Sequence, residues 1–208
     1  MSNGVDRSLA SASACGKVIL FGEHFVVYGG TAIAVPLRSR RLQLEIFENH
    51  EGGDEIASDL ISSDVAKQVI SIARAETSCD HPASFSITTD ERLPARMGLG
   101  SSAALGVALL RAMQMLRGSP VDEDIVSMGA YEIEKVFHGT PSGIDSTVIA
   151  FEEPCYLSSD SDDGSEGEPI AGFLDIPDSM NLLVAGSDKA GNTADALGVV
   201  REFANSDV

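Results

Sequence analysis

Two glycines and two serines, Gly98, Gly100, Ser101 and Ser102, stand directly before a run of small and aliphatic residues at 103–110. A glycine-rich turn that opens a helix leaves backbone N–H groups free at the positive end of the helix dipole. Such an end is suited to binding a phosphate group. The segment therefore predicts an anion-binding helix N-terminus.

A dinucleotide site is a second interpretation, because Gly98-x-Gly100-x-x-Ala103 fits the alanine-ended form of the dinucleotide-binding fingerprint. That fingerprint also needs an acidic residue at the end of a second strand about 20 residues further on. The acidic residues found there, at 122–124, fall in the first turn of a predicted helix instead. Their position argues against a dinucleotide site.

Two more interpretations of the same segment concern its serines. Residues 100–104 are one residue away from a nucleophile elbow, and His138 with Asp145 could complete a hydrolase site, but Ala104 stands where the elbow needs glycine. Alternatively, Ser101 or Ser102 simply caps a core helix. The segment alone does not separate this cap from a phosphate site.

Two further segments place polar residues where chemistry is expected. In "GKVILFGEHFVVYGG", residues 16–30, Lys17 begins an apolar strand that ends at Glu23 and His24. In "EKVFHGTPSGID", residues 134–145, a helix ends and a Pro/Gly turn leads to Asp145. Each could be explained by turns, caps or a surface lysine. Together with the glycine segment, they favour phosphate chemistry.

These three segments, in this order, resemble the GHMP kinases, and within that superfamily they most resemble the mevalonate kinases. The resemblance covers about residues 12–200. It implies ATP and Mg²⁺ as cofactors, mevalonate as the phosphate acceptor, and a place in isoprenoid synthesis. The alternatives are another GHMP kinase, such as a phosphomevalonate kinase or a galactokinase-like enzyme, and a non-catalytic nucleotide-binding remnant.

The resemblance also implies a role for individual residues. Asp145 matches the base that accepts the proton of the substrate hydroxyl, and Lys17 matches the lysine that stabilises charge beside it. Ser102 and Glu134 match the Mg²⁺ ligands. The residues implied in binding ATP are Pro94, Met97, Gly98, Leu99, Gly100, Ser101, Ser102, Ala103 and Ala104; those implied in binding mevalonate are Glu23, His24, Asn192 and Thr193.

Two departures from the family pattern affect the C-terminal part. Asp188 stands where relatives have lysine or glycine, and the third family motif, a glycine-rich segment, is absent. We therefore expect a truncated form of the two-domain GHMP kinase fold. Residues 1–177 would form the N-terminal ATP-binding domain, and residues 178–208 only the start of the ferredoxin-like C-terminal domain.

Strands and helices must position these residues, and the patterning predicts an α+β fold with a mixed sheet and packed helices. Alternating or continuous apolar runs predict strands, and apolar residues at helical spacing predict helices. Ser119, Pro120 and Asp122 predict the N-cap and first turn of the third helix. The predicted strands are 16–22, 31–37, 41–48, 84–90, 148–151, 155–159 and 180–186, and the predicted helices 62–76, 102–116 and 119–137.

The composition of the chain limits the classes of partner it can bind. The chain has 208 residues, 43% of them hydrophobic, and a net charge of −18, which argues against nucleic acid or an anionic membrane as a partner. The acidic excess is typical of archaeal proteins that work in concentrated salt. Three widely spaced cysteines support neither a disulfide framework nor a zinc site. Without an apolar leader or spanning run, we expect a soluble, cytoplasmic protein that could form a homodimer.

Overall fold

The computed structural model describes residues 8–23, 30–50, 54–57, 61–81, 85–95, 97–139, 141–158, 170–177, 179 and 181–185. Ten helices and strands occur in these ranges. The strands are β1 (Ala10–Phe21), β2 (Thr31–Glu48), β3 (Glu55–Ala57), β4 (Phe85–Glu91), β5 (Cys155–Ser158) and β6 (Ile170–Phe173), and the helices are α1 (Ser63–Glu76), α2 (Ser101–Arg117), α3 (Glu123–His138) and α4 (Ile144–Phe151).

The strands form one mixed sheet organised around the long strand β2. Strand β1 pairs antiparallel along one edge of β2, while β4 and β5 pair antiparallel with its two ends along the other edge. Strand β3 runs parallel to β4, and β6 runs antiparallel to β5. This sheet, with helices packed against it, confirms the predicted α+β fold.

The two strands predicted at 31–37 and 41–48 are one strand with an irregularity in its pairing. Cys15 pairs with Arg41, but the next residue of β1, Gly16, pairs with Leu37, so residues 38–40 are left out of the ladder and are exposed. Such a bulge locally increases the twist of a strand pair. It also places Lys17 just beyond the bend.

Helix α2 forms the centre of the core, as its apolar sequence predicts. It is buried from Ala103 to Gln114 except at the half-buried Arg111, and it contacts both β1 and β2. The facing side of β2 supplies Leu42, Leu44 and Ile46, which alternate with more exposed neighbours and are fully buried. Each such side chain contributes about 1.5–3 kcal/mol when it leaves water. The beginning of α2 is therefore held firmly against the sheet.

An ionic cluster ties the bulge to the helices. Arg41 donates two hydrogen bonds, of 2.9 and 2.7 Å, to the carboxylate of Glu152, which directly follows α4. Arg111 of α2 reaches the same carboxylate at 3.2 Å and donates to the carbonyl of Ser13 at 2.8 Å. Residues 38–40 are exposed, whereas Arg41 is half-buried in this cluster.

Three sequence-based predictions of local structure are wrong. Residues 148–151 lie in α4 and not in a strand, because a short apolar run fits a buried helix as well as a strand and the turn at Gly143 starts a helix. Helix α3 is capped by Asp122 and not by Ser119, since the Asp122 carboxylate accepts from the N–H groups of Asp124 and Ile125. Residues 181–185 pair with none of the described strands, and Leu183 is 94% exposed.

Strands β3 and β6 were not predicted, since both are short. The acidic segment 158–168 lies outside the described residues apart from Ser158. Within the described ranges, no helix combines the length and the hydropathy needed to cross a bilayer.

Candidate active site

Three elements bring polar side chains to one place beside the start of α2. Lys17 comes from β1, Glu134 and His138 from the last turns of α3, and Asp145 from the first turn of α4. The contacts among these residues, and between them and Ser102 of α2, define the candidate site. The three sequence segments with chemically useful residues thus meet, although Lys17 and Asp145 are 128 residues apart along the chain.

The strongest single contact is the ion pair between Lys17 and Asp145. The Lys17 Nζ lies 3.0 Å from Asp145 Oδ1, and the side chains are only 5% and 24% exposed. A buried ammonium group is costly without a partner, so the carboxylate compensates its charge. Asp145 sits at the N-terminal end of α4, where the helix dipole favours an anion.

The glycine segment is attached directly to β1. The backbone N–H of Lys17 donates to the carbonyl of Leu99 at 3.0 Å. Gly100 has φ +74°, and a Cβ there would lie 2.9 Å from both Lys17 Cγ and Ile149 Cδ1. The glycine therefore provides both a left-handed backbone and the close approach of the loop to the lysine.

The start of α2 has its backbone N–H groups available. Gly100 is the N-cap, and no side chain among the described residues makes a capping hydrogen bond there. Ala104 is the residue whose N–H bonds back to Gly100, at 2.9 Å. The N–H groups of the three preceding helical residues have no intrahelical acceptor, as in any helix. The interpretation of Ser101 or Ser102 as a cap is therefore wrong, and an open N-terminus fits the predicted phosphate site.

Glu134 is the most unusual group in the site. It is 2% exposed, and its Oε2 has no hydrogen-bond partner within the part of the chain that the structure describes. Burial, and secondarily the nearby charge of Asp145, raise the pKa of Glu134 to about 8; Lys17 and hydrogen bonds from Ser146 oppose this shift. A buried carboxylate with a free oxygen can accept a ligand that brings positive charge.

Ser102 contacts α3 through a histidine. Its Oγ lies 3.3 Å from Nε2 of His138, which is one helical turn beyond Glu134. The hydrolase interpretation required Asp145 to support this histidine, but the Asp145 carboxylate contacts Lys17 instead. The serine, histidine and aspartate therefore do not form a triad. His138 is a site residue that the phosphate interpretation missed, although its spacing of four residues from Glu134 could have indicated it.

The oxygen donors in the site suit Mg²⁺, but they are too few to hold a metal ion with protein ligands alone. A serine hydroxyl and the unpaired Glu134 oxygen are hard oxygen donors of the kind that Mg²⁺ prefers. The described residues contain no group of three or more His, Cys, Asp or Glu side chains that could hold a metal. A cation here would need substrate phosphates and water to complete its shell, which is the usual mode for Mg²⁺.

The remaining predicted site residues have different outcomes. In the ATP segment, Pro94, Met97 and Gly98 are exposed, Leu99, Ser101 and Ser102 are half-buried, and Gly100, Ala103 and Ala104 are buried. Glu23 is exposed in the turn after β1. His24, Asn192 and Thr193, three of the four residues implied in substrate binding, lie outside the described residues.

Similarity to known sequences agrees with this geometry. Residues 64–153 match the family described as GHMP kinases N terminal domain, a range that contains Ser102, Glu134 and Asp145. The mevalonate kinase of Aeropyrum pernix is 35% identical over 68% of this chain and 48% of its own length. That of Pyrococcus horikoshii is 30% identical over 92% of this chain and 61% of its own length. The chain thus spans about half to three fifths of these curated relatives.

Solved structures share the fold. The structure of L. major mevalonate kinase in complex with R-mevalonate aligns with a TM-score of 0.69 over 96% of this chain and 64% of its own, at 22% identity. Streptococcus pneumoniae phosphomevalonate kinase aligns with a TM-score of 0.56 over 73% of this chain and 48% of its own, at 21% identity. At these identities the two likenesses show the fold alone.

Proposed function

The chain belongs to the GHMP kinase family, and from that premise we propose that it transfers the γ-phosphoryl group of ATP to the 5-hydroxyl of mevalonate. The observation that carries the proposal is the Lys17–Asp145 ion pair at 3.0 Å beside the open N-terminus of α2. It combines a phosphate-binding element with a carboxylate that can accept a proton. The substrate is inferred from the mevalonate kinases among the relatives.

The first task of this site is to hold the nucleotide. The free N–H groups at the start of α2 bind the phosphates, and the left-handed Gly100 lets the backbone approach them. Ser102 and Glu134 would hold Mg²⁺, which when bound neutralises phosphate charge as it develops. Lys17 adds a fixed positive charge beside this phosphate-binding helix N-terminus.

The second task is to activate the acceptor. Asp145 accepts the proton of the substrate hydroxyl while that oxygen forms its bond to the γ-phosphorus and the bond to the leaving ADP oxygen breaks. Lys17 fixes the position of the carboxylate and stabilises negative charge on the attacking oxygen. Most of the rate enhancement in this kind of reaction comes from positioning and electrostatics.

The test offers Mg·ATP with mevalonate, phosphomevalonate or galactose separately and measures ADP release and product mass. We expect mevalonate to be phosphorylated, and Asp145→Asn to lower turnover at least about a hundredfold with little change in ATP affinity. Asp124→Asn, an exposed aspartate at the start of α3, is the matched control.

Other outcomes contradict the proposal in distinct ways. Phosphorylation of phosphomevalonate or galactose alone would assign the site to another GHMP substrate. Binding of Mg·ATP without turnover of any acceptor would support a nucleotide-binding role. Turnover of Asp145→Asn within threefold of the unmodified protein would remove Asp145 from the mechanism.

A further inference from the structure

The contact between Ser102 and His138 joins the start of α2 to the end of α3, and the proposed phosphoryl transfer does not by itself require it. Ser102 Oγ lies 3.3 Å from His138 Nε2. Ser102 is half-buried and makes no capping bond to its own helix, while His138 is exposed. Gly139, with φ +69°, ends α3 directly after the histidine. The ring therefore lies at a helix end that faces the start of α2.

The chemistry of a serine hydroxyl restricts what this contact can do. A hydroxyl has one proton to donate and two lone pairs to accept with. If Ser102 gives a lone pair to a cation, its proton must point away from that cation, towards an acceptor. An unprotonated Nε2 is such an acceptor, whereas Nε2–H would occupy one of the two lone pairs itself and leave the hydroxyl proton without this acceptor.

We propose that His138 is a positioning residue of the nucleotide site, in which an unprotonated Nε2 accepts the Ser102 hydroxyl proton and so turns the oxygen lone pairs towards the bound cation. This inference rests on the proposed kinase function of the site, since it assumes that Ser102 faces Mg²⁺. It assigns His138 the tautomer that carries its proton on Nδ1. His138 itself need not touch ATP or the acceptor.

The tautomer can be read in the free protein, without nucleotide, metal or activity. Multiple-bond ¹H–¹⁵N correlation spectra, recorded where the ring is neutral, distinguish the two nitrogens of each of the four histidines. The His138 signals are assigned from the spectrum of His138→Gln. We expect Nδ1–H for His138, and a return to the commoner Nε2–H form in Ser102→Ala. An Nε2–H tautomer in the unmodified protein would overturn the proposal.

Binding measurements test the consequence for the cation. Titration calorimetry with ATP, in the presence of Mg²⁺ and with EDTA, gives the contribution of the metal to affinity. Removing one such hydrogen bond in His138→Ala should weaken Mg·ATP binding about tenfold and leave metal-free ATP binding nearly unchanged. His138→Gln, whose amide oxygen can accept the same proton, should restore most of the affinity.

A double-mutant cycle separates positioning from a general structural effect. If His138 acts through Ser102, then Ser102→Ala combined with His138→Ala should bind Mg·ATP no more weakly than Ser102→Ala alone. Additive losses would overturn the proposal. The control is His50→Ala, an exposed histidine after β2 at the opposite end of the sheet, which should change nothing.

Failure of this inference and failure of the proposed function give different results. If mevalonate is not phosphorylated but Mg²⁺ strengthens ATP binding, the His138 measurements still apply and the substrate assignment alone is wrong. If mevalonate is phosphorylated but His138→Ala and His138→Gln behave alike, the function stands and the positioning role is wrong.

Discussion

Replacing Glu134 with glutamine should change how the stability of the protein depends on pH. The carboxylate is buried, and its pKa is raised from 4.5 to about 8, first by burial and then by the charge of Asp145. Between these two values the folded protein holds a proton that the unfolded chain releases. The protonated Glu134 therefore contributes its full share to the stability of the fold below about pH 4.5, and this contribution is lost as pH rises towards 8.

The size of the effect follows from linkage. One extra bound proton lowers the free energy of unfolding by about 1.4 kcal/mol for each pH unit, so the loss between pH 5.5 and 7.5 is about 2–3 kcal/mol. Ordinary carboxylates are already ionised throughout this window. Glutamine has nearly the same shape and does not titrate, so Glu134→Gln should remove this slope and be the more stable form at pH 7.5.

Urea unfolding is followed by circular dichroism at pH 5.5, 6.5 and 7.5, in constant KCl and without Mg²⁺. It measures how the free energy of unfolding depends on pH in the unmodified protein and in Glu134→Gln. The matched control is Glu132→Gln, which removes a carboxylate on the same helix that is 43% exposed and pairs with Lys135. The control should follow the unmodified protein. Parallel curves for Glu134→Gln and the unmodified protein would refute the reasoning.

Two further substitutions test how the site is held. Gly100→Ala adds a Cβ 2.9 Å from Lys17 Cγ at a positive φ, and we expect the free energy of unfolding in urea to fall by about 2–4 kcal/mol. Gly98→Ala, the control, has a similar φ but no atom of the described residues within 4 Å of the added Cβ, so it should lose less. Equal losses would contradict the role of close packing. Glu152→Ala leaves Arg41 and Arg111 without their shared carboxylate and should lower the free energy of unfolding in urea by about 3 kcal/mol. The control Glu153→Ala removes an exposed neighbouring carboxylate and should lower it by under about 0.5 kcal/mol. Similar values for both variants would show that the cluster contributes little.

The residues of the site were accessible from the sequence because their signals are local. A turn that needs a left-handed backbone selects glycine, and an apolar run after it predicts a helix, so Gly100 and the start of α2 could be placed from about ten residues. Asp145 was indicated in the same way by the turn before it. The resemblance to a family then suggested which of these segments meet.

Contacts between distant residues could not be predicted from these signals. Arg41 and Glu152 are 111 residues apart, and nothing near either one indicates a partner. The same limit explains the error at 148–151, where a four-residue apolar run has no period of its own and tertiary packing decides between helix and strand. The burial of Glu134 is likewise a property of the assembled core, because its neighbours in sequence include exposed residues such as Lys135.

The free oxygen of Glu134 is difficult to explain by folding alone. A buried carboxylate whose pKa is raised to about 8 weakens the protein at neutral pH, and glutamine or an apolar residue would fill the same space without that cost. Asp145, eleven residues later, adds to this cost, because its charge raises the pKa of Glu134 further. A neutral residue at position 145 would remove that charge but would leave Lys17 without its carboxylate partner. Two carboxylates kept together beside an open helix N-terminus make energetic sense when a cation and phosphates are bound between them. The stability lost in the free protein thus supports a ligand-binding role for this arrangement.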